Sequence, residues 1–283
     1  MRVSKSCAKC LYDKQAHLSQ DEVYLEEVRN IINNRKEKDT APYLVYRFNQ
    51  AYEKIYGKGI SYKEIKKKYN DLVLSMETVL RKEIQASNDP IQTAFLFARL
   101  GNYIDFGAMN EIDDQKFLAL FQEVKMSKKD KEVMTSFLEQ CKKAKTFLLI
   151  TDNCGEIVLD KLFLEELKKC FPQLKITVLV RGGEILNDAT REDAEYVGLD
   201  KIAVIEDSAN KVAGTIYDML PKRIQDLMDH SDVILSKGQG NFESLSYQGR
   251  HIFYSFLCKC DLFIERFDVP VLSGMFVEEN KPC

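Results

Sequence analysis

The stretch Thr146-Phe-Leu-Leu-Ile-Thr-Asp-Asn-Cys-Gly-Glu156, continued by Ile157-Val-Leu-Asp-Lys-Leu-Phe-Leu-Glu-Glu-Leu167, decides the fold. Thr146–Ile150 is a short apolar run with β-branched members and reads as a buried strand. From Ile157 onward the apolar residues Ile157, Val158, Leu162, Phe163 and Leu167 recur at helical spacing. Between strand and helix stand Asp152, Asn153 and Glu156, and Gly155 permits a tight turn. In open parallel α/β sheets, ligands bind at the carboxyl ends of strands, so this turn carries polar groups where chemistry usually happens. Neighbouring carboxylate and amide oxygens suit a hard cation such as magnesium or manganese. The plainer reading is an Asp/Asn helix cap in an ordinary βα turn.

Working outward, the same alternation continues toward the C-terminus. Further strands are expected at 176–180, 202–205, 233–236 and 252–257, with a shorter sixth run at 269–272. Helical segments separate the first five, at 157–170, about 188–196 and 217–228, with a short one after Asn241. Alternation of this kind implies an α/β fold: a Rossmann-like, mostly parallel sheet sandwiched by helices in three layers.

Toward the N-terminus the first 135 or so residues read as helical. Ser19-Gln-Asp-Glu22 and Ser61-Tyr-Lys-Glu64 have capping-box spacing, and Thr40-Ala-Pro42 and Asp89-Pro90 offer two more starts. Gly57 and Gly101 are stops, and two further helices are expected around 115–124 and after Ser127. The lysine-rich run 125–131 reads as a solvated helix start. The expected organisation is a helical N-terminal region, 1–140, packed on a Rossmann-like region, 141–283.

A chain of 283 residues can bury a sizeable core. Its 41 basic and 44 acidic residues give a formal charge of −3, which argues against a nucleic-acid-binding protein. No apolar stretch reaches the length of a membrane span. The N-terminal Met-Arg-Val-Ser-Lys-Ser-Cys7 lacks a signal peptide's apolar core. Eight cysteines without a secretion signal then point to reduced thiols and a cytoplasmic protein. Oligomeric state is not legible.

Four strand ends carry polar clusters: Asp152 to Glu156; Arg181 with Asn187, Asp188 and Thr190; Glu206 to Ser208; and Ser236-Lys-Gly-Gln-Gly-Asn241 with Glu243. In a parallel sheet all four converge on one edge. Asp152, Asn153 and Asp188 are oxygen donors for one octahedral divalent cation. The ammonium of Lys237 and the backbone N–H groups of Gly238 and Gly240 are candidates to grip a phosphate, and the Arg181 guanidinium matches phosphate geometry. A metal site beside cationic donors suits an anionic substrate.

These residues resemble the DUF89 family, the damage-control phosphatases. The matching motifs are Asp152-Asn-Cys-Gly-Glu156, Leu186-Asn-Asp-Ala-Thr190 and Lys237-Gly-Gln-Gly-Asn-Phe-Glu-Ser-Leu245. Gly101-Asn-Tyr-Ile-Asp-Phe106, Cys7-Ala-Lys-Cys10 with Gln15-Ala16, and Lys259-Cys260 add to them, in the family's order along almost the full chain. The length and the Cys-x-x-Cys opening look like the small, mostly prokaryotic branch. The resemblance implies a metal-dependent phosphatase acting on small phosphorylated metabolites, such as sugar phosphates or damaged cofactor intermediates. Manganese, magnesium, cobalt or nickel would be carried by Asp152, Asn153 and Asp188. Lys237, Gly238, Gly240, Asn241 and Glu243 would lie on the phosphate or substrate side with Glu156 and Arg181, and Lys259 would add a substrate contact. Asn102 and Asp105 would close over the site. The stretch 207–215 departs from relatives, which tend to have glycine soon after the serine and proline before Gly-Thr.

Hydrolysis by a water at the cation is the mechanism expected, with Asp152, Asp188 or Glu243 as general base. A covalent aspartyl-phosphate is disfavoured because Cys154 stands where haloacid-dehalogenase phosphatases have a second Asp. Cys7, Cys10, Cys258 and Cys260 could supply four thiolates to a structural zinc, although ordinary thiols are the simpler reading. Cys154 has no histidine base assigned to it, and His17, His230 and His251 lie outside every cluster. Two alternatives stand beside the phosphatase: an S-adenosylmethionine-dependent carboxyl methyltransferase, and a non-catalytic protein that binds metal or phosphometabolite. Against the methyltransferase, the first strand lacks the glycine-rich loop such enzymes use.

Overall fold

Thr146–Ile150 forms β1 at the centre of a six-stranded sheet ordered β3-β2-β1-β4-β5-β6. A computed structural model describes residues 1–106, 121 and 125–280, apart from the side chains of 104–106. The other strands are β2 (Lys175–Val180), β3 (Val204–Asp207), β4 (Val233–Lys237), β5 (Ile252–Leu257) and β6 (Gly274–Glu279). β1 to β5 run parallel, and β6 closes the edge antiparallel to β5. Ile150 of β1 lies level with Leu179 of β2 and Ser236 of β4, so these three strands end together. With β2 and β4 on either side of β1, the chain reverses its winding there, which is where open sheets leave a crevice.

Alternation along β1 builds both cores. Phe147 and Leu149 join one buried cluster, and Leu148 and Ile150 join the other. On the first face pack α4 (Lys63–Ala86), α5 (Pro90–Leu100), α6 (Lys128–Lys143), α7 (Glu156–Cys170) and α8 (Arg191–Tyr196). On the second pack α9 (Lys222–His230), α10 (Gln239–Leu245) and α11 (Asp261–Phe267). This is the three-layer α/β/α arrangement expected. The helical region divides by its packing. α1 (Lys5–Leu18), α2 (Glu22–Asn33) and α3 (Ala41–Tyr56) bury their own cluster around Tyr24, Val28 and Phe48. The helices α4 to α6 instead share the core of the sheet.

Several local expectations shift. The sixth strand is not 269–272: that run is a turn, with Ser273 N–H donating to Pro270 O and Leu272 at φ 62°, and β6 follows it. β3 begins two residues later than expected. Residues 217–228 split into a 3-10 turn, Tyr217–Met219, and α9, because Pro221 stands between them. Asp21, not Ser19, caps α2, and the Ser61 hydroxyl bonds Glu184 instead of capping α4. The helix expected around 115–124 lies outside the described residues except for Phe121. Among the described residues no helix is long and apolar enough to cross a membrane.

Candidate active site

The loops leaving β1 and β2 are zipped together by their backbones. Cys154 N–H donates to Asn187 O at 2.8 Å, Ala189 N–H donates to Asp152 O at 2.8 Å, and Asn153 and Asp188 form an antiparallel bridge. These bonds bring Asp152, Asn153 and Asp188 onto one patch. The loop after β4 closes the third side. Gly238 has φ +81°, and a Cβ there would lie 2.1 Å from Asp152 Cγ. Only glycine lets the β4 loop touch the Asp152 carboxylate. The cluster after β3 does not join: Asp207 pairs with Arg191 at 2.9 Å, Glu206 with Arg223, and the Ser208 hydroxyl accepts from Gly182 N–H.

Buried Arg181 lies between the two aspartates. Its Nε donates to Asp188 Oδ2 at 2.6 Å, and its Nη1 donates to Asn241 Oδ1 at 3.1 Å and Thr215 Oγ1 at 3.2 Å. Among the described residues its Nη2 has no hydrogen-bond partner, and it sits 3.8 Å from Asp152 Oδ1. Asp152 Oδ2 accepts from the amides of Asn102 and Asn153, each at 2.8 Å. Burial pushes the Asp152 carboxyl well above the usual range, Asp188 and Glu156 push it further, and Lys259 and Arg181 oppose them. A divalent cation is the group that would relieve this crowding of negative charge. The donor set fits one. Asn153 turns its Nδ2 to Asp152 and to Glu156 (3.3 Å), which directs its Oδ1 away from both carboxylates. The set depends on that amide, since among the described residues no three His, Cys, Asp or Glu side chains gather to hold a metal.

Other expected site residues have different surroundings. Lys237 is buried: its ammonium donates to Glu156 Oε1 (2.7 Å), Asp160 Oδ1 (2.5 Å) and Ala98 O (3.0 Å), which uses all three protons. Glu156 is fully buried and bonded to Lys237, Asn102 and Asn153. Asn102 is buried and braces Asp152 from within. The side chain of Asp105 lies outside the described residues. Gly238 N–H is committed to Ser255 O at 3.0 Å, and Gly240 packs on Ala213 O. Asn241 is a buried tie, donating to Thr151 O and Lys237 O while accepting from Arg181 and Thr215. Glu243 is held by Gln239 at 3.1 Å, and burial pushes its carboxyl up against the opposing pull of Gln239, the N-terminal amine and Lys14. Lys259 is half-buried and near enough to act on the Asp152 charge.

The thiols of Cys7, Cys10, Cys258 and Cys260 are free, and among the described residues they do not assemble a zinc site. Burial pushes the Cys154 thiol up, which removes it further from nucleophile chemistry. Sequence reasoning missed Asp160 and Thr215. Asp160 stands four residues after Glu156, on the same helix face, and that spacing was the available signal. Thr215 ends the stretch that departs from relatives, so nothing local marked it. A cavity of about 620 Å³ opens over the ends of β2 and β3, lined by Arg181 together with Lys66, Arg191 and Tyr196. Asp152 and Asp188 do not line it, so donor chemistry and not cavity volume locates the site.

A family model described as "Damage-control phosphatase ARMT1-like domain" matches residues 2–273. A damage-control phosphatase of Archaeoglobus fulgidus is 28% identical over 256 residues, covering 87% of this chain and 88% of the relative. A damage-control phosphatase of Pyrococcus horikoshii is 28% identical over 211 residues, covering 73% of this chain and 70% of its own. An uncharacterized protein of Methanocaldococcus jannaschii is 32% identical over 229 residues, covering 77% and 73% respectively. The crystal structure of a DUF89 family protein from Pyrococcus horikoshii superposes with TM-score 0.84 over the full length of both chains, at 21% identity. That likeness is one of fold.

Proposed function

The chain belongs to the damage-control phosphatase, ARMT1-like (DUF89) family, and from that premise we propose that it is a metal-dependent phosphatase of small phosphorylated metabolites. One observation carries the reading. Two buried aspartates share a guanidinium, beside an asparagine whose amide nitrogen is already committed. Asp152, Asn153 and Asp188 are the residues that would hold the cation. When bound, it supplies positive charge to phosphoryl oxygens and acidity to water.

The chain's own groups do the remainder. Arg181, through Nη2, and Lys259 bind and orient the phosphoryl group, neutralising its oxygens as charge develops. These two replace Lys237 as the cationic hand. Glu243 is occupied elsewhere, so the proton released by the attacking water is held on the carboxylate oxygens of Asp152 and Asp188.

The test is phosphate release from p-nitrophenyl phosphate and a panel of sugar phosphates, with Mn²⁺, Mg²⁺, Co²⁺ or Ni²⁺. EDTA should abolish turnover, added metal should restore it, and Asp152→Ala should lower it by at least about 100-fold. Turnover that survives chelation contradicts the metal reading. Metal and ester binding without turnover would make this a binding protein, and methyl transfer would make it a methyltransferase.

A further inference from the structure

Beneath the two aspartates lies a buried chain of charged and amide groups that touches no open surface. We infer that Lys237 and Asp160 are positioning residues, acting through Glu156 and Asn102 to fix the ligand oxygens of Asp152 and Asn153. The inference rests on the metal-site reading above and assigns to that site a supporting layer.

Each link is a hydrogen bond. Asp160 Oδ1 and Glu156 Oε1 divide the Lys237 ammonium, at 2.5 and 2.7 Å. The other oxygen of Glu156 accepts from Asn102 Nδ2 at 2.9 Å and from Asn153 Nδ2 at 3.3 Å. Both amides then donate to Asp152 Oδ2, each at 2.8 Å. Every member is buried, so none of these bonds is exchanged for water. The termini of two helices support the charges. Glu156 and Asp160 lie in the opening turns of α7, where the helix favours anions, and Lys237 meets the carbonyl of Ala98 near the end of α5, where it favours cations.

The arrangement is not one that stability alone selects. One ammonium serves two carboxylates, and Asp160 Oδ2 is buried with no hydrogen-bond partner among the described residues. Burial raises the Asp160 carboxyl to about 7, against the pull of Lys237. A neutral side chain at 160 would leave Lys237 and Glu156 balanced one to one. The extra carboxylate holds the ammonium from a second side, which prevents Lys237 and Glu156 from turning together and releasing the amides.

The test uses the full chain, Mn²⁺ alone as the cation probe and inorganic phosphate as the anion probe. Mn²⁺ affinity is read by electron paramagnetic resonance for wild type, Asp160→Asn and Lys237→Met, with thermal unfolding alongside. Asp160→Asn should fold, because it removes the surplus charge, yet bind Mn²⁺ about 10-fold more weakly. Its kcat for p-nitrophenyl phosphate should fall while KM stays within about twofold. Lys237→Met should weaken Mn²⁺ in the same way with little change in phosphate inhibition. Wild-type Mn²⁺ affinity retained in both variants overturns the inference and leaves the metal site standing. Weakened phosphate binding with unchanged Mn²⁺ affinity in Lys237→Met returns Lys237 to the substrate side and overturns it as well. If one variant fails to fold, the other decides. A wild type that binds no Mn²⁺ overturns the proposed function together with this inference.

Discussion

Gly238 shows how narrowly single residues define the site. Its positive φ and the 2.1 Å approach of a notional Cβ to Asp152 Cγ leave no room for a side chain. Gly238→Ala should impose strain of about 1–3 kcal/mol and push Asp152 aside. Displacing a reacting group by an ångström costs about 100-fold, so phosphate release should fall by that order while the far-ultraviolet spectrum stays native. Unchanged kcat/KM in this variant would show that Asp152 need not occupy its observed position. At this scale the sequence was legible by residue type and silent on direction. The oxygen donors Asp152, Asn153 and Asp188 were marked by their chemistry and their strand ends. The burial of Lys237 was not legible, because a lysine beside glycines looks exposed. Its burial depends on Ala98 and Asp160, which only the folded chain brings alongside.

Elements were easier to read where capping and periodicity agree. Thr40 and Asp89 cap α3 and α5 as their spacing suggested, and Gly57 ends α3 in the left-handed region. The failures are tertiary. β6 is an edge strand rich in acidic residues, and the apolar run just before it is spent on a turn. One element-scale expectation concerns α8 and its junction with α4. Asp193 closes the capping box of α8 on Thr190, and its carboxylate pairs with Lys66 of α4 at 2.6 Å. Burial alone would raise the Asp193 carboxyl, but Lys66 and Thr190 outweigh it and hold it below its ordinary value. A depressed folded pKa means the contribution is fully present above the unfolded value of about 4 and is lost as pH falls through the folded one. Asp193→Asn should therefore cost about 1–2 kcal/mol in urea unfolding at pH 7. That difference should shrink toward zero as pH falls below the ordinary aspartate value of about 4 and through the lower folded one. A gap that is constant with pH would mean the pair with Lys66 contributes nothing through charge.

The molecule as a whole joins a helical region to a sheet through one shared core. Phe95 and Phe137 from the helices meet Phe163, Phe253 and Phe276 in one aromatic cluster. Lys237 at the end of β4 ties the same helices to the sheet through Ala98. That union puts Asn102, from the helical region, against Asp152 of the sheet, so the site is complete only when both parts are folded together. The parallel, doubly covered sheet was legible from alternation alone. How residues 1–140 pack was not, because helical periodicity names an apolar face without naming its partner. The most direct test of the central claim is a crystal structure with Mn²⁺ and phosphate, with the ion located by anomalous scattering. The account expects one ion about 2.1 Å from oxygens of Asp152, Asn153 and Asp188, with phosphate against Arg181 Nη2 and Lys259. Manganese bound elsewhere, or phosphate seated on Lys237, would contradict it.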